Sequence, residues 1–266
     1  MRRLWGAGPR LALQDIILPM LNYQIHGDGP PLLLAHGFGI SFNIWNGLRP
    51  RLADHFTLIE VELPGIGLSP LPPPTRPYLA EAVDALDSLR ACLGFDRWHL
   101  LGYSTGSRVA EAYVQTHPAR VERIAFLCPA QARPIGARGL RFADCFDSRF
   151  PAIGNWILSG WRIRFLIQWL GFNLRSNPLI PDWYAEITSQ PVDVLKATLR
   201  SMPEGGANPI AVPEGIPALL VWGKEDLITA TPKRPSPHDV VIHACHSMPQ
   251  SRAKEVGEIL LPFLRG

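Results

Sequence analysis

The residues Gly102-Tyr103-Ser104-Thr105-Gly106 follow a short apolar run, Trp98-His99-Leu100-Leu101, and precede a helix-like stretch from Ser107 to Thr116. A serine between two glycines, closing a buried strand and opening a helix, has the pattern of a nucleophile elbow. So tight a turn leaves no room for bulk on either side of the serine, which accounts for Gly102 and Gly106. The serine is forced into strained backbone geometry, and its hydroxyl then stands clear of the sheet edge. The helix that begins there points free N–H groups and its positive end toward any anion forming above the serine. Glycine and serine are common in loops, so the rest of the chain must support this reading.

At 266 residues, 47% hydrophobic and 18% charged, the chain suits one large α/β domain carrying an inserted subdomain. A net charge of +3, without any run of Lys and Arg, argues against nucleic acid as a partner. The 27 prolines point to rigid connections, because aliphatic residues remain plentiful. Cys92, Cys128, Cys145 and Cys245 are scattered and form no C-x-x-C pair, the usage expected of buried, reduced thiols in a cytoplasmic protein. The basic start, Met1-Arg2-Arg3, is not followed by an apolar run of signal-peptide length.

Strand and helix signals alternate from the start of the chain to Cys128. Two short stretches between Arg10 and Ile25 read as edge strands, and Leu32-Leu33-Leu34-Ala35 as a fully buried one. A helix is expected from Trp45 to His55, a strand over Phe56–Val61 and an amphipathic helix from Leu79 to Leu93, with Val83, Leu86, Leu89 and Leu93 on its apolar face. The strand at Trp98, the elbow and its helix follow, and then a strand from Val121 to Cys128. Such alternation specifies a mostly parallel central sheet flanked by helices. The texture changes from residue 131 to residue 213, where alternation gives way to arginine and tryptophan; this part reads as a helical cap inserted between core segments 1–130 and 214–266. Strands return at Pro217–Gly223 and Asp239–His243, and a helix from Ala253 to Leu264 closes the chain.

A serine hydroxyl needs a base to remove its proton and a carboxylate to hold that base in the right tautomer. Asp226 lies just beyond the strand ending at Gly223, and His246 just beyond the next strand, in the order Ser…Asp…His suited to this topology. Loops at the carboxyl ends of parallel strands converge on one crevice, so residues far apart in the chain can meet there. An oxyanion would be held by the backbone N–H of Thr105 and that of Phe38, in the loop His36-Gly37-Phe38-Gly39.

Together His36-Gly37-Phe38-Gly39, Leu63-Pro64-Gly65-Ile66-Gly67-Leu68-Ser69, the elbow, Gly223-Lys224-Glu225-Asp226 and Cys245-His246 resemble the motifs of α/β-hydrolase-fold enzymes of the cap-bearing branch. The resemblance covers residues 22–130 and 215–266. It implies a serine hydrolase acting without a cofactor on a small-molecule substrate, a carboxylic ester with a largely apolar acyl or alcohol part. The same triad also serves C–C bonds, thioesters and lactones, and a hydrolase-like protein can bind a small ligand with little turnover. Haloalkane and epoxide opening are disfavoured, because relatives with those chemistries carry aspartate in place of Ser104. Three features depart from the family pattern. Ser107 and Arg108 follow the elbow where a small glycine is usual, and Glu62 stands where aspartate is usual. Only twenty residues, broken by proline, separate Asp226 from His246, which predicts a more exposed Asp226.

Competing roles are weaker. His36 is expected to shape its loop rather than to move protons. His243 and His246 form H-x-x-H, but a catalytic zinc needs a third protein ligand, so no metal is expected. His243 is expected on the strand, facing into packing, Glu225 to face away from the site, and Asp239 to lie on the surface. Ile153–Phe172 is almost wholly apolar, yet Arg162 and Arg164 at its centre would cost several kcal/mol in a bilayer, so stable membrane insertion is not expected. It reads as a cap helix packed on the core, with Trp156, Trp161 and Trp169 as candidates, alongside Tyr103, to line an apolar pocket. Loose contact with a membrane or interface is a third reading.

Overall fold

Strands flanked by helices must be apolar on both faces, and Leu32–Ala35, Leu100, Leu101 and Ile124–Leu127 are all buried to 1% exposure or less. A computed structural model of the chain describes residues 21–73, 75–131, 151–157, 160–200 and 208–266. Its sheet has seven strands: β1 (Tyr23–His26), β2 (Pro31–Ala35), β3 (Thr57–Val61), β4 (Trp98–Tyr103), β5 (Val121–Leu127), β6 (Ala218–Gly223) and β7 (Asp239–Ile242). Their spatial order is β1-β3-β2-β4-β5-β6-β7, parallel throughout except for antiparallel β1 at the edge. This is the expected α/β-hydrolase fold class. Of the two edge stretches, β1 is the second; the first lies outside the described residues.

The order reverses direction at β2, which has β3 on one side and β4 on the other. Loops leaving β2 and β4 therefore diverge and leave a crevice at the carboxyl ends of the strands. The register pairs Ala35 with Gly102, so the His36-Gly37-Phe38-Gly39 loop and the elbow emerge side by side.

The core helices are α1 (Arg49–Leu52), α2 (Tyr78–Cys92) and α3 (Gly106–Thr116). In place of the helix expected over Trp45–His55 there is a 3-10 turn, Phe42–Trp45, followed by the single turn α1. Gly47 weakens a helix interior, and Pro50 is tolerated only because it sits in the first turn of α1. The helices between β5 and β6 are α4 (Pro151–Ile157), α5 (Gly160–Leu166) continued by a π turn over Ile167–Gly171, α6 (Ile180–Ser189) and α7 (Val192–Arg200). After β7 come α8 (Met248–Ser251) and α9 (Ala253–Arg265). No helix among the described residues is long and apolar enough to cross a membrane.

The departures from the family pattern have structural reasons. Ser107 Oγ donates to Ser104 O and accepts from Ala130 N at 2.8 Å. Arg108 donates to Ala130 O and Asn208 O and pairs with Glu111 at 2.7 Å, while Glu111 accepts from Ala211 N. The start of the elbow helix thus ties down both places where the chain leaves the sheet after β5 and approaches it again before β6. Glu62, with one methylene more than aspartate, reaches Ser41 Oγ (2.5 Å), Asn22 Nδ2 and Leu68 N (2.7 Å each). It pins the glycine-rich loop to the chain beyond β2.

Candidate active site

The elbow adopts the geometry its glycines require. Ser104 has φ +51°, a left-handed conformation that costs a non-glycine residue about 1–2 kcal/mol. A Cβ on Gly102 would lie 2.7 Å from the Ser107 Cα, and one on Gly106 would lie 2.2 Å from His36 O. Neither position can carry a side chain, which is why strand, turn and helix pass so closely.

Asp226, beyond β6, and His246, beyond β7, meet Ser104 from the other side. His246 Nε2 lies 2.9 Å from Ser104 Oγ, and His246 Nδ1 lies 2.8 Å from Asp226 Oδ2. Here the sequence expectation about Asp226 needs correction: it is fully buried, at 0% exposure. The segment after it contains no helix among the described residues, as its prolines suggested, but it folds back over the carboxylate. Ile228 N and Thr229 N donate to Oδ1 at 2.7 and 3.1 Å, and Thr229 Oγ1 donates to Oδ2 at 2.6 Å. Local amides supply the cover that a helix would otherwise provide. Burial alone would raise the carboxyl pKa, but His246 and Thr229 outweigh it and hold the group at about 2.

His36 takes no part in this chain of bonds. Its Nδ1–H donates to Gly37 O (2.8 Å) and its Nε2 accepts from Leu63 N (2.9 Å), which requires the neutral ring. Burial lowers its pKa to about 4, so it stays neutral and shapes the loop, as expected. Glu225 turns away to pair with Arg175. One expectation fails: His243 follows the end of β7 and is exposed rather than packed. Asp239 begins β7 and stays partly exposed, accepting from Trp222 Nε1 (2.6 Å) and from both N and Oγ of Ser236. Of the cysteines, Cys128 and Cys245 are buried and free, Cys92 is exposed, and Cys145 lies outside the described residues.

Among the described residues, Cys128, Asp226 and His246 bring potential metal-ligand atoms within 4.8 Å of one another. An ion there would compete for the Nδ1–Asp226 contact that orients His246.

The site opens into a cavity of about 390 Å³ lined by Phe38, Ile40, Tyr103, Ser104, Thr105 and His246 from the core side. Its opposite wall is Ile163, Leu166, Ile167 and Leu170, with Trp183 and Ile187 from α6. A larger cavity of about 510 Å³ lies between the proline-rich link and α7 and touches none of these catalytic candidates. Tyr103 lines this cavity; the three candidate tryptophans do not. Trp156, Trp161 and Trp169 are 57%, 70% and 44% exposed and face outward. Trp161, Phe165 and Trp169 recur every four residues along one side of the α5 segment, and Ile163, Leu166, Ile167 and Leu170 form the other. Arg162, Arg164 and Gln168 flank the tryptophan stripe, so helical phase rather than tryptophan content carries the signal of which side faces in.

The second wall is docked on the core by polar contacts. Trp183 Nε1 donates to Gln250 Oε1, Gln250 Nε2 donates to Asn43 O, and Gly67 N donates to Gln190 Oε1. Glu186 of α6 sits at the same junction. Burial pushes its carboxyl up to about 7; the Ser41 and Asn43 amides oppose this, and the nearby Glu62 adds repulsion. The unfolded chain releases this proton near its ordinary 4.5 and the folded chain only near 7, so stability falls as pH rises across that window. Glu186→Gln is therefore expected to gain about 1–2 kcal/mol on the wild type between pH 4.5 and pH 8, after discounting for solvent screening. Urea midpoints at both values would read this out; an unchanged difference would refute it.

The family model described as alpha/beta hydrolase fold matches residues 30–231, more than half of the chain. The chain belongs to the alpha/beta hydrolase fold family. This hydrolase-fold chain is 29% identical over 271 residues to a pimeloyl-[acyl-carrier protein] methyl ester esterase of Aeromonas hydrophila, with 92% of this chain and 99% of the relative covered. Among solved structures it resembles a thermophilic esterase from Thermogutta terrifontis, with a TM-score of 0.70, 23% identity and coverage of 92% and 93% of the two chains. It also resembles the enol-lactonase from Burkholderia xenovorans LB400, with a TM-score of 0.71, 20% identity and coverage of 92% and 96%.

Proposed function

We propose that this hydrolase-fold protein cleaves carboxylic esters whose acyl or alcohol part is largely apolar. The observation that carries the reading is the continuous chain Ser104 Oγ–His246–Asp226, at 2.9 and 2.8 Å, opening into a cavity walled by aliphatic and aromatic side chains. Ser104 Oγ attacks the ester carbonyl as His246 Nε2 takes its proton, and the C–O bond to the alcohol breaks as His246 returns that proton to the leaving oxygen. Water, deprotonated by His246, then releases the acid from Ser104. Asp226 fixes the tautomer and stabilises the imidazolium. The amides of Phe38 and Thr105, both at the cavity wall, are assigned to the oxyanion, and segment 131–213 to a cap that holds the apolar part of the substrate. No step needs a cofactor.

A methyl ester on an aliphatic acyl chain, the type of bond named for the Aeromonas relative, suits this arrangement: the chain occupies the cavity and methanol is a small leaving group. Thioesters and lactones fit the same attack. The test is hydrolysis of p-nitrophenyl esters from acetate to decanoate, together with labelling by a fluorophosphonate probe. Labelling with rates that rise beyond acetate is the expected result. Neither turnover nor labelling would leave a ligand-binding protein as the better reading.

A further inference from the structure

His246 stands in a buried connection whose flanking backbone is held by Glu225 N donating to Ala244 O (3.0 Å) and Ser247 N donating to Gly171 O (3.3 Å). β7 ends at Ile242, α8 begins at Met248, and no helix lies between Gly223 and β7 among the described residues. The ring is oriented by Asp226, but the backbone that carries the ring must be held too. The His246 carbonyl accepts from Tyr103 Oη at 2.9 Å and, more weakly, from Cys128 Sγ at 3.5 Å. The Tyr103 ring lies 5.3 Å from the imidazole at 39°, and its own position is set by the edge of Trp45 at 6.3 Å and 76°.

We infer that Tyr103 is a positioning residue that sets the distance between nucleophile and base, an inference that rests on the Ser104–His246–Asp226 reading above. Tyr103 ends β4 and is covalently joined to Ser104, so the hydroxyl anchoring the base and the hydroxyl attacking the substrate ride on the same rigid turn. A shift of the elbow carries His246 with it. Burial raises the phenol pKa well above its usual value, so the group remains a donor at any working pH.

Tyr103→Phe keeps the ring and the cavity wall and removes only the donor. Its kcat on a soluble p-nitrophenyl ester is expected to fall about ten- to a hundredfold, with KM within about twofold. Fluorophosphonate labelling of Ser104 should slow by the same factor. Assays run far below the unfolding temperature separate this from lost stability, which would leave the turnover of folded enzyme unchanged. Unchanged kcat and labelling in Tyr103→Phe would overturn the inference. A direct check on the wild type is a slowly exchanging Tyr103 hydroxyl proton by NMR; rapid exchange would overturn it even if the variant did not fold. If the wild type itself neither hydrolysed esters nor took up the probe, the hydrolase reading would fail instead, and the exchange measurement would still decide whether the tether exists.

Discussion

Ser104→Ala is expected to reduce ester hydrolysis by about 10⁵–10⁶-fold in kcat and to abolish fluorophosphonate labelling. The size follows from what is removed. Without Oγ there is no acyl-enzyme, and His246 has no hydroxyl to deprotonate; only oxyanion donors and substrate placement remain, worth about 10³–10⁴ over water in such sites. Fold and pocket should survive, since alanine tolerates φ +51° about as well as serine and the deleted atom faces the cavity. Binding of a substrate-like inhibitor and the thermal midpoint should therefore stay close to wild type. Kinetics on matched p-nitrophenyl esters would show it; a variant as active as the wild type would remove Ser104 from the mechanism.

Asp226→Asn is expected to cost about 10⁴ in kcat, because an amide facing His246 Nδ1 favours the tautomer that puts the proton on Nε2, where the base must accept one. The same substitution has a signature in stability. With a folded pKa of about 2 against an ordinary 3.8, Asp226 is depressed, so its contribution is fully present above about pH 4 and is lost as pH falls toward 2. That contribution is about 2 kcal/mol. The stability difference between wild type and variant should shrink by this amount on acidification from pH 5 to pH 2, as followed by denaturant unfolding. A difference independent of pH would mean that Asp226 is not held ionised by His246 and Thr229.

Much of the fold was legible in the chain, and particular residues explain why. Leu32–Ala35 and Leu100–Leu101 show parallel-strand burial because helices on both faces exclude water, and that demand is written in consecutive residues. Gly102 and Gly106 mark the elbow because any Cβ there would collide with backbone. The order Ser104, Asp226, His246 follows from strand ends meeting at one edge of a parallel sheet. What was misread concerned orientation and cover. Trp161 and Trp169 share their helix with Ile163 and Ile167, and the signal lay in helical phase, since Arg162, Arg164 and Gln168 fall on the tryptophan side. Proline in the segment before β7 did signal a missing helix, but not that Thr229 would close over Asp226 in its place. The signal for Thr229 was slight, a hydroxyl three residues after the acid.

The sequence by itself determined the sheet, the elbow and the identity of the three polar residues, because these depend on local backbone geometry and on patterns repeated every two to four residues. Only the tertiary structure decided how deeply Asp226 is buried and that Tyr103 grips the His246 carbonyl. Each of those is a contact between side chain and backbone groups brought together by packing. A contact between residue 103 and residue 246 leaves no periodicity in either segment, so it becomes visible only when the strands are in place.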